Sequence, residues 1–183
     1  WATGGALNTA RFNLAGAGTQ TAALAFGGRL PPNTAATESY NGTNWTEVND
    51  LNTARQQLAG AGIQTAALAF GGFLPPDSAA TELWNGTNWT AVNSMNTARA
   101  RLAGAGTNTA ALGFGGYSPP VTAATETWNG TNWTEVNDLN TARALLAGAG
   151  TNTAALAFGG NTGPGAVTEL WNGTNWTEVN DLN

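Results

Sequence analysis

The 183-residue chain contains no cysteine, no histidine and no lysine; its six basic residues are all arginine. Without cysteine there is no disulfide and no thiolate metal site. Without histidine or cysteine a nucleophilic triad has neither its usual base nor a thiol, and the only serines, Ser39, Ser78, Ser94 and Ser118, fall at unrelated positions. Charge of either sign is scarce, at 9% of residues, and eleven acids against six arginines leave a net −5. No basic stripe exists to neutralise phosphates, so nucleic-acid binding is not expected. No apolar run approaches the ~18 residues of a spanning helix, so membrane insertion is not expected either. The chain opens at Trp1 with no methionine and no signal-peptide pattern, which reads as a processed form or an excerpt from something longer.

What the chain does have is 42% apolar residues, enough for a globular core, and a repeat. The unit is clearest from Asn52 to Trp89, NTARQQLAGAGIQTAALAFGGFLPPDSAATELWNGTNW. Closing tryptophans stand at Trp1, Trp45, Trp89, Trp133 and Trp176, at steps of 44, 44, 44 and 43 residues. A fixed period of this size defines a repeat architecture before it defines a function. The expected division is a partial repeat over 1–8, equivalent to an outer strand, then units over 9–52, 53–96, 97–140 and 141–183.

Each unit divides into four short strands. The first, from Leu14, Leu58, Leu102 and Leu146, is almost wholly alanine and glycine, poor strand formers that suit a place where backbones crowd. The second runs from Ala22, Ala66, Ala110 and Ala154 to Phe26, Phe70, Phe114 and Phe158 and ends in Gly-Gly. Alternation puts Ala66, Leu68 and Phe70 on one face and Ala67 and Ala69 on the other, so one face is ridged and the other flat. Identical sheets would then stack ridge to flat. The third strand is the Thr-Glu-x-aromatic segment, as at Thr37 to Tyr40. Asn-Gly follows it and predicts a type I′ hairpin into the fourth strand, which starts near the closing tryptophan. No stretch has the length and 3.6-residue period of an amphipathic helix. The expectation is an all-β propeller of four-stranded antiparallel blades.

In order, each copy carries an arginine (Arg11, Arg55, Arg99, Arg143), an apolar run into Gly-Gly, a glutamate two residues before an aromatic (Glu38, Glu82, Glu126, Glu169), and a tryptophan in the last strand (Trp45, Trp89, Trp133, Trp176). In these landmarks the chain resembles the kelch-repeat propellers over essentially its whole length. The resemblance implies blades whose first strand lines a central channel and whose fourth lies outermost. Kelch propellers usually have six or seven blades, so four is a departure. Three closures fit: a compact ring of four, two chains sharing a ring of eight, or an open array continued by neighbours. Because both ends lie in the same phase of the repeat, residues 1–8 are surplus to a ring of four, and self-association through the termini is expected.

The glutamates, as repeated carboxylates, invite a glycosidase reading. Their recurrence with an arginine in every copy favours structural Arg–Glu pairs instead, and near-identical copies lack the division of roles an active site needs. The Asn-Asp pairs at 49–50, 137–138 and 180–181 offer one carboxylate each and become Asn93-Ser94 in the second copy, which favours backbone-satisfying turns over calcium sites. LAGAGT-type runs lack the lysine and helix of a phosphate loop. No catalysis, metal or cofactor is expected.

Differences between copies collect on the connections at one end of each unit. They fall at Phe12-Asn13, Gln56-Gln57, Ala100-Arg101 and Ala144-Leu145, and at Arg29-Leu30, Phe73-Leu74, Tyr117-Ser118 and Asn161-Thr162. Loops on a rigid scaffold are where binding usually resides, so Arg29, Gln56, Phe73, Arg101, Tyr117 and Asn161 are the candidate contact residues; drift at unconstrained positions is the plain alternative. Two classes of function follow. One is a binding or adhesion scaffold with a glycan or protein ligand and repeated equivalent sites. The other is a structural subunit of an extracellular, surface-exposed homo-oligomer such as a filament or fibre, a placement suggested by low charge and abundant Asn, Thr and Gly.

Overall fold

In the computed structural model, residues 4–161 and 165–182 are described. They form a four-bladed all-β propeller with no helix. The first blade comprises β1 (Ala15–Gly18), β2 (Ala23–Phe26), β3 (Thr37–Tyr40) and β4 (Trp45–Val48); the second β5 (Ala59–Ile63), β6 (Ala66–Phe70), β7 (Thr81–Trp84) and β8 (Trp89–Val92). The third comprises β9 (Ala103–Gly106), β10 (Ala111–Phe114), β11 (Thr125–Trp128) and β12 (Trp133–Val136); the fourth β13 (Ala147–Gly150), β14 (Ala155–Phe158), β15 (Thr168–Trp171) and β16 (Trp176–Val179). Every blade is an antiparallel meander in sequence order. The Ala-Gly strands are innermost, β1 beside β5, β5 beside β9 and β9 beside β13. Their small residues let them approach, most closely at the glycines: a Cβ on Gly60 would lie 2.7 Å from the carbonyl oxygen of Gly16.

Strand three begins and ends where the sequence places it. The turn after it differs. Tyr40 pairs with Trp45, leaving a four-residue loop of Asn-Gly-Thr-Asn in place of a two-residue type I′ hairpin. Only the glycine takes a positive φ, 93° at Gly42. The Asn41 side chain accepts hydrogen bonds from the backbone N–H groups of Thr43 (3.0 Å) and Asn44 (2.9 Å), and this local capping outcompetes the tighter turn. The same bonds recur at Asn85, Asn129 and Asn172.

The core is three clusters, one at each junction between successive blades. Between the first and second blades, Leu24 and Phe26 meet Ala67 and Ala69; between the second and third, Leu68 and Phe70 meet Ala111; between the third and fourth, Leu112 and Phe114 meet Ala155 and Ala157. The ridged face of each blade therefore lies on the flat face of the next. Phe26, Phe70 and Phe114 are wholly buried against Trp89, Trp133 and Trp176, with ring centroids 4.9–5.0 Å apart.

Among the described residues this junction forms three times and not a fourth. Leu24, Leu68 and Leu112 are 0–1% exposed, whereas Leu156, at the same position in the fourth blade, is 38% exposed. A Cβ on Gly60, Gly104 or Gly148 would strike the phenylalanine of the preceding blade, whereas one on Gly16 would meet nothing among the described residues within 4 Å but the Leu24 carbonyl. Trp45 and Phe158 are only half-buried. Of the surplus partial repeat expected over 1–8, residues 1–3 lie outside the described residues, and residues 4–8 carry no strand.

Candidate binding face

The four arginines and four glutamates come together as pairs, one per blade. Arg11 binds Glu38, Arg55 binds Glu82 and Arg143 binds Glu169, and Arg99 Nη1 lies 2.7 Å from Glu126 Oε1; all eight side chains are at most 2% exposed. Each glutamate is further satisfied by the asparagine that opens its copy: Asn96 donates to Glu126 Oε2 through its backbone N–H (2.7 Å) and its side chain (2.8 Å). Asn8, Asn52 and Asn140 do the same in the other blades. Burial pushes the Glu38 carboxyl up, but hydrogen bonds from Arg11, Asn8 and Thr9, together with the charge of Arg11, hold it below the usual carboxylate range. Burial likewise pushes the Arg99 guanidinium below its ordinary value, against the opposing pull of Glu126. Carboxylates this enclosed and this fully bonded serve the scaffold, tying the chain entering each blade to its third strand.

The Asn-Asp pairs are likewise engaged with the backbone. Asp50 and Asp138 accept from the N–H groups of Thr37 and Thr125 at 3.0 Å, and Asp181 from Thr168 at 3.3 Å. Asn49 reaches across to the next blade's turn, donating to Thr87 O (3.0 Å) and Asn88 Oδ1 (2.8 Å). Asn93 and Asn137 repeat the contact.

The variable connections do share one end of the molecule. Isolated antiparallel bridges join Phe12 to Arg29, Gln56 to Phe73 and Ala100 to Tyr117, so each entry segment is zipped to the loop after the second strand of its own blade. Between neighbouring loops lie clefts. The larger, about 470 Å³, sits between the second and third blades and is lined by Gln57, Phe73, Asp77, Arg101, Tyr117 and Pro119. Its lining is mainly apolar, with the Arg101 guanidinium 5.2 Å from the centre of the Tyr117 ring and donating to Gln57 Oε1 at 3.3 Å. Burial raises the Asp77 carboxyl above its ordinary range, against the lowering charge of Arg101. A second cleft of about 440 Å³ repeats the arrangement between the first and second blades, using Arg29, Asn33, Gln56, Phe73, Leu74 and Pro75.

Five of the six candidate contact residues thus line these two clefts, Phe73 serving both. Gln56 is only 4% exposed and accepts from the Asn13 side chain at 3.0 Å, so it supports the wall more than it presents a surface. Asn161 is exposed at the edge of the fourth blade; its neighbour Thr162 lies outside the described residues. Sequence reasoning marked the Gln56-Gln57 pair as variable but took Gln56 in place of Gln57 as the contact residue, and it missed Asp77 and the prolines. The signal was there in the Pro-Pro pair carried by three of the four loops, each with a cis Pro-Pro bond, at Pro31-Pro32, Pro75-Pro76 and Pro119-Pro120.

At the axis the second residue of each variable pair takes a left-handed backbone: Asn13, Gln57, Arg101 and Leu145 have φ of 56–59°. Their backbones form a ladder, Gln57 N–H to Asn13 O, Arg101 N–H to Gln57 O and Leu145 N–H to Arg101 O, at 2.8–2.9 Å. The ladder rims a shallow depression where the inner strands end. Groups of three or more acidic residues suited to a metal ion do not occur among the described residues.

No protein-family model matches the chain, and no curated protein is significantly similar to it.

Proposed function

We propose that the protein is a non-catalytic binding scaffold that presents its inter-blade clefts, on one face of the propeller, to a glycan or protein ligand. The observation that carries this reading is the recurrence of the same cleft at successive junctions, each walled by an aromatic ring and an arginine. In the larger cleft the Arg101 guanidinium lies over the Tyr117 ring, and flat rings and guanidinium groups with amides nearby are surfaces on which sugars and planar groups stack and hydrogen-bond. Two such clefts on one rigid body reward a repetitive ligand through avidity. The buried Arg–Glu pairs supply the scaffold and no chemistry. The order of arginine, Gly-Gly, glutamate and tryptophan supports kinship with kelch-type propellers, and the low charge supports an extracellular, surface-exposed setting.

Glycan and peptide arrays test it. Saturable binding that falls at least tenfold in Phe73→Ala, which opens both clefts, and less in Tyr117→Ala, which opens one, is the expected result. Binding indifferent to both substitutions rejects the face.

A second reading, a structural subunit of a homo-oligomeric assembly, is favoured by a different observation: the apolar faces of the first and fourth blades that no blade covers.

A further inference from the structure

Each closed junction is built from the same set of contacts. The earlier blade contributes a leucine and a phenylalanine as ridges, a threonine hydroxyl as an acceptor, and a backbone carbonyl at the axis. The later blade contributes as the flat a first-strand glycine and two small residues of its second strand (Ala67 and Ala69, Ala111 and Gly113, or Ala155 and Ala157), a tryptophan whose indole N–H reaches the threonine, and the backbone N–H at the axis. The Trp–Thr bonds measure 3.1, 3.0 and 3.1 Å at Trp89–Thr37, Trp133–Thr81 and Trp176–Thr125.

Split between the ends of the chain is one more complete set, unassembled. The fourth blade offers Leu156 and Phe158 as ridges, Thr168 as an acceptor and the Leu145 carbonyl, where the axial ladder stops. The first blade offers Ala23, Ala25 and Gly16 as the flat, Trp45, and Asn13, where the ladder starts. Among the described residues, Trp45 makes no indole hydrogen bond and Phe158 no ring contact of the kind their counterparts make. The flat face is a shallow depression of about 390 Å³ whose walls include Leu14, Gly16, Ala23, Ala25 and Trp45, the place Phe158 would fill.

We propose that these two faces join between two copies of this chain, the fourth blade of each docking on the first blade of the other, so that a pair of chains closes an eight-bladed ring. The occupant is set by continuity with the three internal junctions: the surface complementary to each open face is the other open face. Since a ridge face and a flat face differ, the contact is head-to-tail, and head-to-tail contacts either close a ring or run on as a filament. The number of blades in a ring of such chains is a multiple of four. Four does not close, and eight is the one larger multiple within the 4–8 blades that propellers typically use. This deepens the assembly reading by naming its interface; it does not depend on what occupies the clefts.

The absence of native cysteine permits a direct test. At the junction of the third and fourth blades the exposed side chains of Asn137 and Asn175 meet, Asn137 donating to Asn175 Oδ1 at 2.8 Å. The matching pair across the proposed contact is Asn180 with Asn44, both exposed in the single chain. The double variant Asn44→Cys, Asn180→Cys is treated with a short bis-maleimide and run in denaturant, and the parent chain is weighed by light scattering. The expected results are a covalent species of twice the 18.6 kDa chain and a parent of the same doubled mass, with Leu156→Asp abolishing both. A covalently closed single chain, showing that four blades close alone, overturns the proposal. So does a monomeric parent, which removes the assembly reading too. A parent of higher mass that gives no cross-link overturns this interface while leaving assembly standing.

Discussion

Trp89 donates its indole N–H to the hydroxyl of Thr37, 3.1 Å away in the preceding blade and 52 residues earlier in the chain. Both partners are buried, and the bond is the polar clasp of an otherwise apolar junction. Thr37→Val keeps the shape and removes the acceptor, leaving a buried indole N–H unsatisfied. A loss of about 1–3 kcal/mol in denaturant unfolding is expected. Thr168→Val in the fourth blade, where no indole among the described residues reaches the hydroxyl, is expected to cost well under half as much in a single chain.

Glu38 predicts the acid limb of stability. Burial alone would raise its pKa, but the bonds from Arg11, Asn8 and Thr9 lower it below the ordinary value in the folded chain. The unfolded chain therefore binds the proton more readily. The stabilisation is present above the ordinary glutamate pKa of about 4.3 and is lost as pH falls through the folded value. Glu38→Gln is expected to be less stable than the parent at pH 7, with the gap narrowing below about pH 4 in unfolding titrations. A gap that is constant or grows on acidification contradicts this.

Leu145 occupies a left-handed backbone, φ 57°, with its side chain 55% exposed. Such a conformation costs a non-glycine residue roughly 1–2 kcal/mol and asparagine less. Little packing is lost on replacing so exposed a side chain. Leu145→Asn, which restores the residue type the first blade already has at Asn13, is expected to gain about 0.5–1 kcal/mol, read as a higher melting temperature.

Much of this architecture was legible in the sequence because it is local and repeated. The alternation in Ala66 to Phe70 placed the ridge and the flat correctly, and the recurrence of arginine with glutamate marked the ion pairs. The hairpin was misread because the Asn41 side chain competes for backbone N–H groups, a contest that a two-residue turn signature does not express. The clefts were half legible: Phe73 and Tyr117 stood out as differences between copies, whereas Asp77 and Pro119 became neighbours only once adjacent loops were brought together. The open fourth junction is not written in any one repeat. Every repeat carries both the ridge and the flat, and only the placing of the first and fourth blades shows which faces are left open.

The stacking of ridge on flat is the claim on which the rest depends, and one comparison measures it. Gly104 and Gly16 occupy the same position in different blades; a Cβ on Gly104 would lie 2.7 Å from the Phe70 ring, and one on Gly16 faces no blade. Unfolding free energies of Gly104→Val and Gly16→Val, both in the Leu156→Asp background so that single chains are compared, give the answer. The account predicts a loss of several kcal/mol or failure to fold for Gly104→Val and a change under about 1 kcal/mol for Gly16→Val. Equal effects at the two positions would contradict it.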